Sequence, residues 1–228
     1  IKLMSFIQGD GSFCFLRSGG TLVGLYGEPD DLEDIRHDIR ALGFIPSRIY
    51  QRTRSHRIDT QYRPIEFSRT ESSVHCGSTA LAVLLRCLGV VAGNKTEQAY
   101  GLPSWLDRAP AWMKRLYLAT LFGAELSSPS TVSGHPYNFC GPVLSQNKAR
   151  ALVDDGCRHL TEIQDWLRQF GVESNLLQSS SQEECVGRNG EVKVRLRLQI
   201  SSAPENLIHL WSHIGFEYNP VSYTHLTL

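Results

Sequence analysis

The sequence predicts an α+β fold of two related halves, each running helix, strands, helix, strands, helix. Three pairs of segments recur in the same order, roughly 120 residues apart, which is the signature of an internal duplication. LMSFIQGDG at 3–11 aligns with LATLFGAEL at 118–126. Leu32, Ile35, Ile39, Arg40 and Gly43 align with Leu160, Ile163, Leu167, Arg168 and Gly171. Leu81, Leu84, Leu88 and Gly89 align with Leu207, Leu210, Ile214 and Gly215. The apolar residues of these segments fall at helical spacing. Strands are read separately, from period-two alternation.

In the first copy, the apolar nonapeptide forms a helix ending near Asp10-Gly11. Gly19-Gly20 marks a hairpin turn. Asp30–Leu42 reads as an amphipathic helix with acids in its first turn, where the helix dipole favours them. Arg48–Arg57 and Ile65–Arg69 read as strands, and Ser78–Leu88 as a helix stopped by Gly89. The run 103–110, bounded by two prolines, separates the copies and divides the chain into halves 1–102 and 103–220. Pro110 then opens the helix carrying the second nonapeptide. In the second copy the helices are Gly156–Phe170 and Pro204–Ile214, and Gly187–Gly190 is a turn. Glu191–Gln199 alternates cleanly: Val192, Val194, Leu196 and Leu198 share one face, Lys193, Arg195, Arg197 and Gln199 the other.

With 228 residues, 41% hydrophobic and 20% charged, the chain can bury a core of one to two domains. Lysine plus arginine equals aspartate plus glutamate, 23 each, which excludes a uniformly basic nucleic-acid coat. The zero balance is a partition. Arg48, Arg52, Arg54, Arg57 and Arg63 face a single acid, Asp59, between Pro46 and Arg63. Glu28, Asp30, Asp31, Glu33, Asp34 and Asp38 face a single arginine between positions 28 and 38. Six cysteines without a CxxC pair read as reduced thiols, mostly filling the core of an intracellular (cytoplasmic) protein. No signal peptide or membrane-length apolar run is visible. The chain opens without Met inside an apolar stretch, as a fragment would. Its last eight residues, Val221–Leu228 (VSYTHLTL), resemble a translated sequencing adaptor and are set outside the fold, so the natural sequence is expected to end near Pro220.

Both nonapeptides resemble the LAGLIDADG signature of homing endonucleases, most closely the two-motif monomeric type embedded in inteins. The runs Leu88–Lys95, 102–106 and 110–127 are similar to the same family, and the resemblance covers about residues 1–220. It implies two αββαββα halves about a pseudo-two-fold axis, each lending a saddle-shaped antiparallel sheet to the DNA major groove. It also implies a site-specific double-strand endonuclease that hydrolyses phosphodiesters with Mg2+ and serves intron homing or sits within a protein-splicing element. The partner would be double-stranded DNA, and the protein a monomer containing an internal pseudo-dimer.

Small residues suit a helix that packs on its own duplicate, with Ser5 and Gly9 facing Thr120, Gly123 and Ala124. Asp10 and Glu125 then end the two helices side by side. Two such carboxylates repel unless a cation lies between them. With the carbonyls of Gly9 and Ala124 they would form an oxygen-rich site for Mg2+. The resemblance adds Lys95, in the loop past Gly89, as the basic group near the scissile phosphate; its counterpart would fall at position 221. Asp10, Glu125 and Lys95 are thus the expected catalytic residues. The second motif departs from the pattern at Gly123 and Leu126. Basic strand faces suit phosphate positioning and groove readout: Arg48, Tyr50, Arg52, Arg54 and His56 in the first copy, Lys193, Arg195, Arg197 and Gln199 in the second. The alternatives are a non-catalytic DNA- or RNA-binding member of that family, a maturase or regulator, or a decayed intein remnant. His209 and His213 have metal-ligand spacing but lack a third ligand, and are read as surface histidines.

Overall fold

The computed structural model describes residues 1–59, 64–128, 130–177, 184–186 and 191–218. The N-terminal half comprises α1 (Lys2–Gln8), β1 (Gly11–Phe15), β2 (Thr21–Gly27), α2 (Pro29–Ala41), β3 (Tyr50–Asp59), β4 (Pro64–Cys76) and α3 (Thr79–Cys87). Its antiparallel sheet has the order β1-β2-β4-β3. The C-terminal half comprises α4 (Ala111–Glu125), β5 (Thr131–Val132), β6 (His135–Phe139), β7 (Val143–Ala149), α5 (Val153–Gln169), β8 (Ser174–Leu177), β9 (Glu184–Val186), β10 (Val192–Ile200) and α6 (Pro204–His209). Its sheet runs β7-β10-β8, with β9 also on β10, and β5 and β6 form a separate ribbon.

Each half has its own core. In the first, Phe13, Val23, Leu25 and Val74 line the sheet, and Leu32, Ile35 and Ile39 of α2 pack onto it. In the second, Val194, Leu196 and Leu198 of β10 meet Leu160, Ile163 and Leu167 of α5. The alternation read in β10 is therefore real: Val194, Leu196 and Leu198 are buried and Val192 half-buried, while Arg195 is exposed. The cores meet where α1 crosses α4. Ser5 Oγ donates to the Tyr117 carbonyl at 2.6 Å, buried. A Cβ on Gly9 would stand 2.8 Å from Ala124 Cβ, so only glycine permits this approach.

The helix ends follow local chemistry. Ser78 caps α3 by accepting from Leu81 N. Gly43, Gly89, Gly171 and Gly215 all take positive φ where helices stop. The β1–β2 turn uses Gly19 at φ +86°. The segment between the halves is not a loose linker. Asp155 of α5 accepts from Tyr100 N at 2.9 Å and Glu162 accepts from Leu102 N at 2.8 Å, which fastens it to the second half.

Several sequence readings need correction. The strand expected from Arg48 starts at Tyr50, and Arg48 lies before it with its guanidinium over the Tyr50 ring. The strand expected at Ile65–Arg69 runs from Pro64 to Cys76, because its register with β3 continues into register with β2. The last helix is α-helical only to His209 and becomes a π turn over Leu210–Ile214. The cysteines do not mostly fill the core: Cys76 is buried, but Cys87 and Cys140 are exposed and Cys14 and Cys157 half-buried. Arg63, the turn 187–190, the side chains of His56 and Arg57, and the tail from position 219, including Val221–Leu228, lie outside the described residues.

Candidate cation centre and nucleic-acid face

Because α1 and α4 run side by side to their C-terminal ends, Asp10 and Glu125 arrive at one place. Each carboxylate feels the other or their shared neighbour Lys95. Asp10 opens to solvent and Glu125 is half-buried. Burial first, and then the Asp10 charge, push Glu125 up to about 7, against the pull of Lys95. Asp10 is also raised by desolvation, opposed by Lys95 and Arg69. The pair therefore holds more negative charge than it can comfortably ionise, which is the condition that draws in a cation.

Lys95 lies in the loop past Gly89, half-buried beside both carboxylates. Its Nζ donates to the carbonyls of Ile7 (3.1 Å), Gln8 (2.8 Å), Gly11 (3.1 Å) and Gly9, closing the end of α1. The unpaired carbonyls of a helix C-terminus attract a cationic group, and the ammonium supplies it. Desolvation lowers the Lys95 pKa, while Glu125 and Asp10 raise it again. The Gly9 carbonyl, an expected cation ligand, is thus already engaged by Lys95. The Ala124 carbonyl belongs to the last turn of α4.

The donor set nevertheless suits Mg2+. All candidate ligands are hard oxygens, and Mg2+ characteristically takes one or two carboxylates and keeps water on its other positions. Among the described residues no group of three or more His, Cys, Asp or Glu comes together. A softer metal with a full protein shell therefore has no site among them.

Behind this centre lies a set of residues that sequence reasoning missed. Lys148 is fully buried, donates to the carbonyls of Lys95 (3.2 Å) and Gln98 (2.6 Å), and sits 3.6 Å from the Tyr100 ring centre. It holds the loop that carries Lys95. Tyr100 is pushed up to about 12 by burial, then by Glu125 and Asp155. His159 of α5 is buried and lowered to about 4, so it is neutral. Register explains the miss: Lys148 and Gln146 pair with Val194 and Leu196, on the apolar face of the sheet. The stretch VLSQNKA shows no alternation that would announce this.

The basic strand residues fall into two groups. Beyond Gln51 and Ser72, β3 and β4 form a ribbon with exposed residues on both faces. Its register aligns Tyr50 with Ser73, Arg52 with Glu71 and Arg54 with Arg69 on one face. Arg54 also pairs with Glu71 at 3.2 Å. In the second half, Lys193, Arg195, Arg197 and Gln199 lie opposite Ala149, Asn147, Ser145 and Val143, on the face away from the core. His209 and His213 do not gather a metal shell: their Nδ1 atoms meet the carbonyls of Gly171 (2.9 Å) and Phe170 (2.8 Å), closing the end of α5.

No family model matches the chain. It is similar to tRNA-splicing ligase RtcB of Methanocaldococcus jannaschii, 33% identical over 96% of this chain and 22% of that protein. The RtcB of Pyrococcus furiosus is 31% identical over 96% of this chain and 21% of its own length. Replication factor C small subunit of Methanocaldococcus jannaschii is 30% identical over 76% of this chain and 9% of that protein. The chain spans about a fifth of the length of the RtcB relatives.

These matches correct the expected identity. The LAGLIDADG homing endonuclease assignment, the Mg2+-dependent DNA endonuclease activity, and the homing and protein-splicing roles are overturned by relatives named for tRNA splicing by ligation. So are the maturase, regulator and decayed-intein alternatives. The physical reason lies in the nonapeptides themselves. Ser5, Gly9 and Ala124 are accounted for by close helix packing, so their recurrence specifies a crossing and not a reaction.

Proposed function

We propose that this chain is a nucleic-acid-docking unit of a longer polypeptide related to tRNA-splicing ligase RtcB. On this reading it has two αββαββα halves about a pseudo-two-fold axis, with saddle-shaped sheets turned to a duplex. The observation that carries it is the helix crossing, which sets Asp10 and Glu125 together between two sheets whose outward strands are rich in arginine. Arginine on extended strands positions phosphates, and a two-stranded ribbon fits the major groove. Double-stranded DNA is the proposed partner, and the name of the RtcB relatives brings structured RNA, tRNA above all, beside it. A stretch shared by a ligase and a replication factor is a unit both carry. The chemistry each name describes is therefore assigned to the parts they do not share.

Asp10 and Glu125 would hold Mg2+, with the Ala124 carbonyl. When bound, the ion neutralises the carboxylate pair and attracts phosphate oxygens to the junction. The unit acts as a monomer in the cytoplasm, consistent with its free cysteines. No described helix is long and apolar enough to cross a membrane.

The test is fluorescence anisotropy with a DNA duplex and with a folded tRNA, across a salt series. Each phosphate contact contributes a slope of about −0.9 in log K against log salt for B-DNA. Arg52→Gln and Arg197→Gln should each reduce the slope by about one contact. Mg2+ should raise the melting temperature of the native chain and have no effect on Asp10→Asn with Glu125→Gln. Absence of binding to both nucleic acids, or slopes unmoved by either arginine change, would overturn the docking role.

A further inference from the structure

A cavity of about 200 Å3 lies between the end of α1 and the second half, lined by Gln8, Lys95, Tyr100, Glu125, Gln146 and His159. Its lining is mixed: these polar side chains share it with Leu121, Leu144, Leu160 and Ile163 of the core. Two of these side chains are more than nine-tenths buried, Gln8 and His159. Gln8 Nε2 and His159 Nδ1 each meet no hydrogen-bond partner among the described protein groups. Gln8 lies within electrostatic reach of the Tyr100 hydroxyl without a hydrogen bond of ordinary geometry. Glu162 stands 4.0 Å from His159 Nδ1, beyond bonding distance. The Tyr100 hydroxyl donates to Gln146 Oε1 at a long 3.4 Å.

A buried polar atom without a partner costs about 1–3 kcal/mol. Two facing one cavity would be a heavy and unexplained penalty if the cavity were dry. The side chains of its walls are already held by other partners. Gln146 is anchored to the Gly156 carbonyl at 2.8 Å, His159 is held by the Tyr100 ring at 4.9 Å, and Lys95 is tied to α1. The room is ample for several waters, each needing roughly 30 Å3 of liquid volume and two to four polar partners.

We propose that this cavity is a structural water site: a cluster of ordered water molecules that hydrogen-bonds Gln8 Nε2 and His159 Nδ1 and reaches the Glu125 carboxylate through Tyr100 and Gln146. The cluster joins the halves, because Gln8 belongs to α1 and His159 to α5. It also gives the Asp10–Glu125 centre a source of solvent on its interior side. The proposal stands on the cavity alone and needs neither a cation nor nucleic acid.

The experiment uses the whole chain, treated with EDTA so that the cation reading does not enter. Crystals are examined at high resolution, native and under xenon pressure. A dry apolar-like cavity takes up xenon, while a hydrated polar one does not. Ordered waters within 3.2 Å of Gln8 Nε2 and His159 Nδ1, with no xenon in the cavity, are expected. Xenon occupancy, or side chains collapsed on each other without water, overturns the proposal. A second measurement is the melting temperature of His159→Phe and Gln8→Leu. With water bound, both changes strand the waters' remaining partners and the temperature falls by several degrees. If the sites were dry, both remove an unpaired polar atom and the temperature rises. Should either variant not fold, the xenon result on the native chain decides.

Discussion

Gly9→Ala adds one methyl group at the crossing of α1 and α4. That carbon would stand 2.8 Å from Ala124 Cβ and 2.9 Å from Glu125 Cγ. Carbon pairs are comfortable at roughly 3.5–4.0 Å, so both contacts are short by about 0.6 Å or more. Ala124 offers no torsion to move its Cβ, so the helices must separate. Overpacking of this kind costs about 1–3 kcal/mol. The ψ of −104° at Gly9 lies outside the range alanine favours, so no unfolded-state gain offsets this cost. The expectation is a loss of about 1–3 kcal/mol, or roughly 2–12 °C for a chain of this size. The assay is thermal unfolding followed by circular dichroism, with two companions. Gly27→Ala meets only Phe6 Cζ at 3.7 Å and should be neutral or slightly stabilising. Adding Ala124→Gly to Gly9→Ala removes the shorter clash and should recover part of the loss. If Gly9→Ala melts no lower than Gly27→Ala, or if Ala124→Gly gives no recovery, the close crossing is wrong and the shared centre falls with it.

Two further outcomes follow from the buried charges. Glu125 has a folded pKa of about 7, above its ordinary 4.5, so its contribution to stability is complete below the ordinary value and lost as pH rises through 7. In EDTA the native chain should therefore lose stability between pH 5 and 8, and Glu125→Gln should flatten that slope in a pH series of urea melts. Lys148→Met removes two hydrogen bonds and one of the cations beside Asp155, which lies 3.8 Å away and keeps Arg158 and Tyr100 N. Hydrogen bonds from a charged donor contribute about 1.5–3 kcal/mol, and a midpoint unchanged in urea would refute the bolt-like role of this lysine.

How much of this was readable in advance depends on whether the signal was periodic. The helices α2, α3 and α5 were legible because their apolar residues repeat at helical spacing and glycines stop them. Strand β10 was legible because one face is apolar and the other basic. The meeting of Asp10 with Glu125 followed from small residues at equivalent helix positions. The polar cavity was not legible. Gln146 and Lys148 pair with apolar residues of β10, and the closure of loop 95–102 gives Lys148 the carbonyls of Lys95 and Gln98 and sets the Tyr100 ring against His159. The place of Lys95 was legible but its bonds were not, because nothing local shows that α1, more than eighty residues earlier, ends with its carbonyls pointing at it. The family likeness misled, since helix-packing constraints and chemical ones use the same small residues.

Lys95 also sets a competition that can be measured. Its ammonium shares three N–H groups among four carbonyls, three around the end of α1, Gly9 among them, and one on β1, and faces both carboxylates. With Asp10 and Glu125 both ionised, the three side chains sum to a single negative charge. Without Lys95 the same site carries two, with the helix-end carbonyls adding to the field. Lys95→Met keeps the length of the stem and deletes the charge. The metal-free variant should melt lower, because charge-assisted hydrogen bonds to carbonyls are lost and contribute about 1.5–3 kcal/mol each at most. Its response to Mg2+ should be larger than that of the native chain, because the ion gains the Gly9 carbonyl and meets one more uncompensated charge. Ligand-linked stabilisation grows as RT ln(1 + [L]/Kd), so a tenfold gain in affinity adds about 1.4 kcal/mol at saturating Mg2+. A titration of melting temperature against Mg2+ concentration separates the two roles of the lysine. A steeper response in Lys95→Met identifies an internal counter-ion that competes with the metal. A response that disappears in Lys95→Met would show that the lysine holds the carboxylates in place for the ion, and the competition argued here would be wrong.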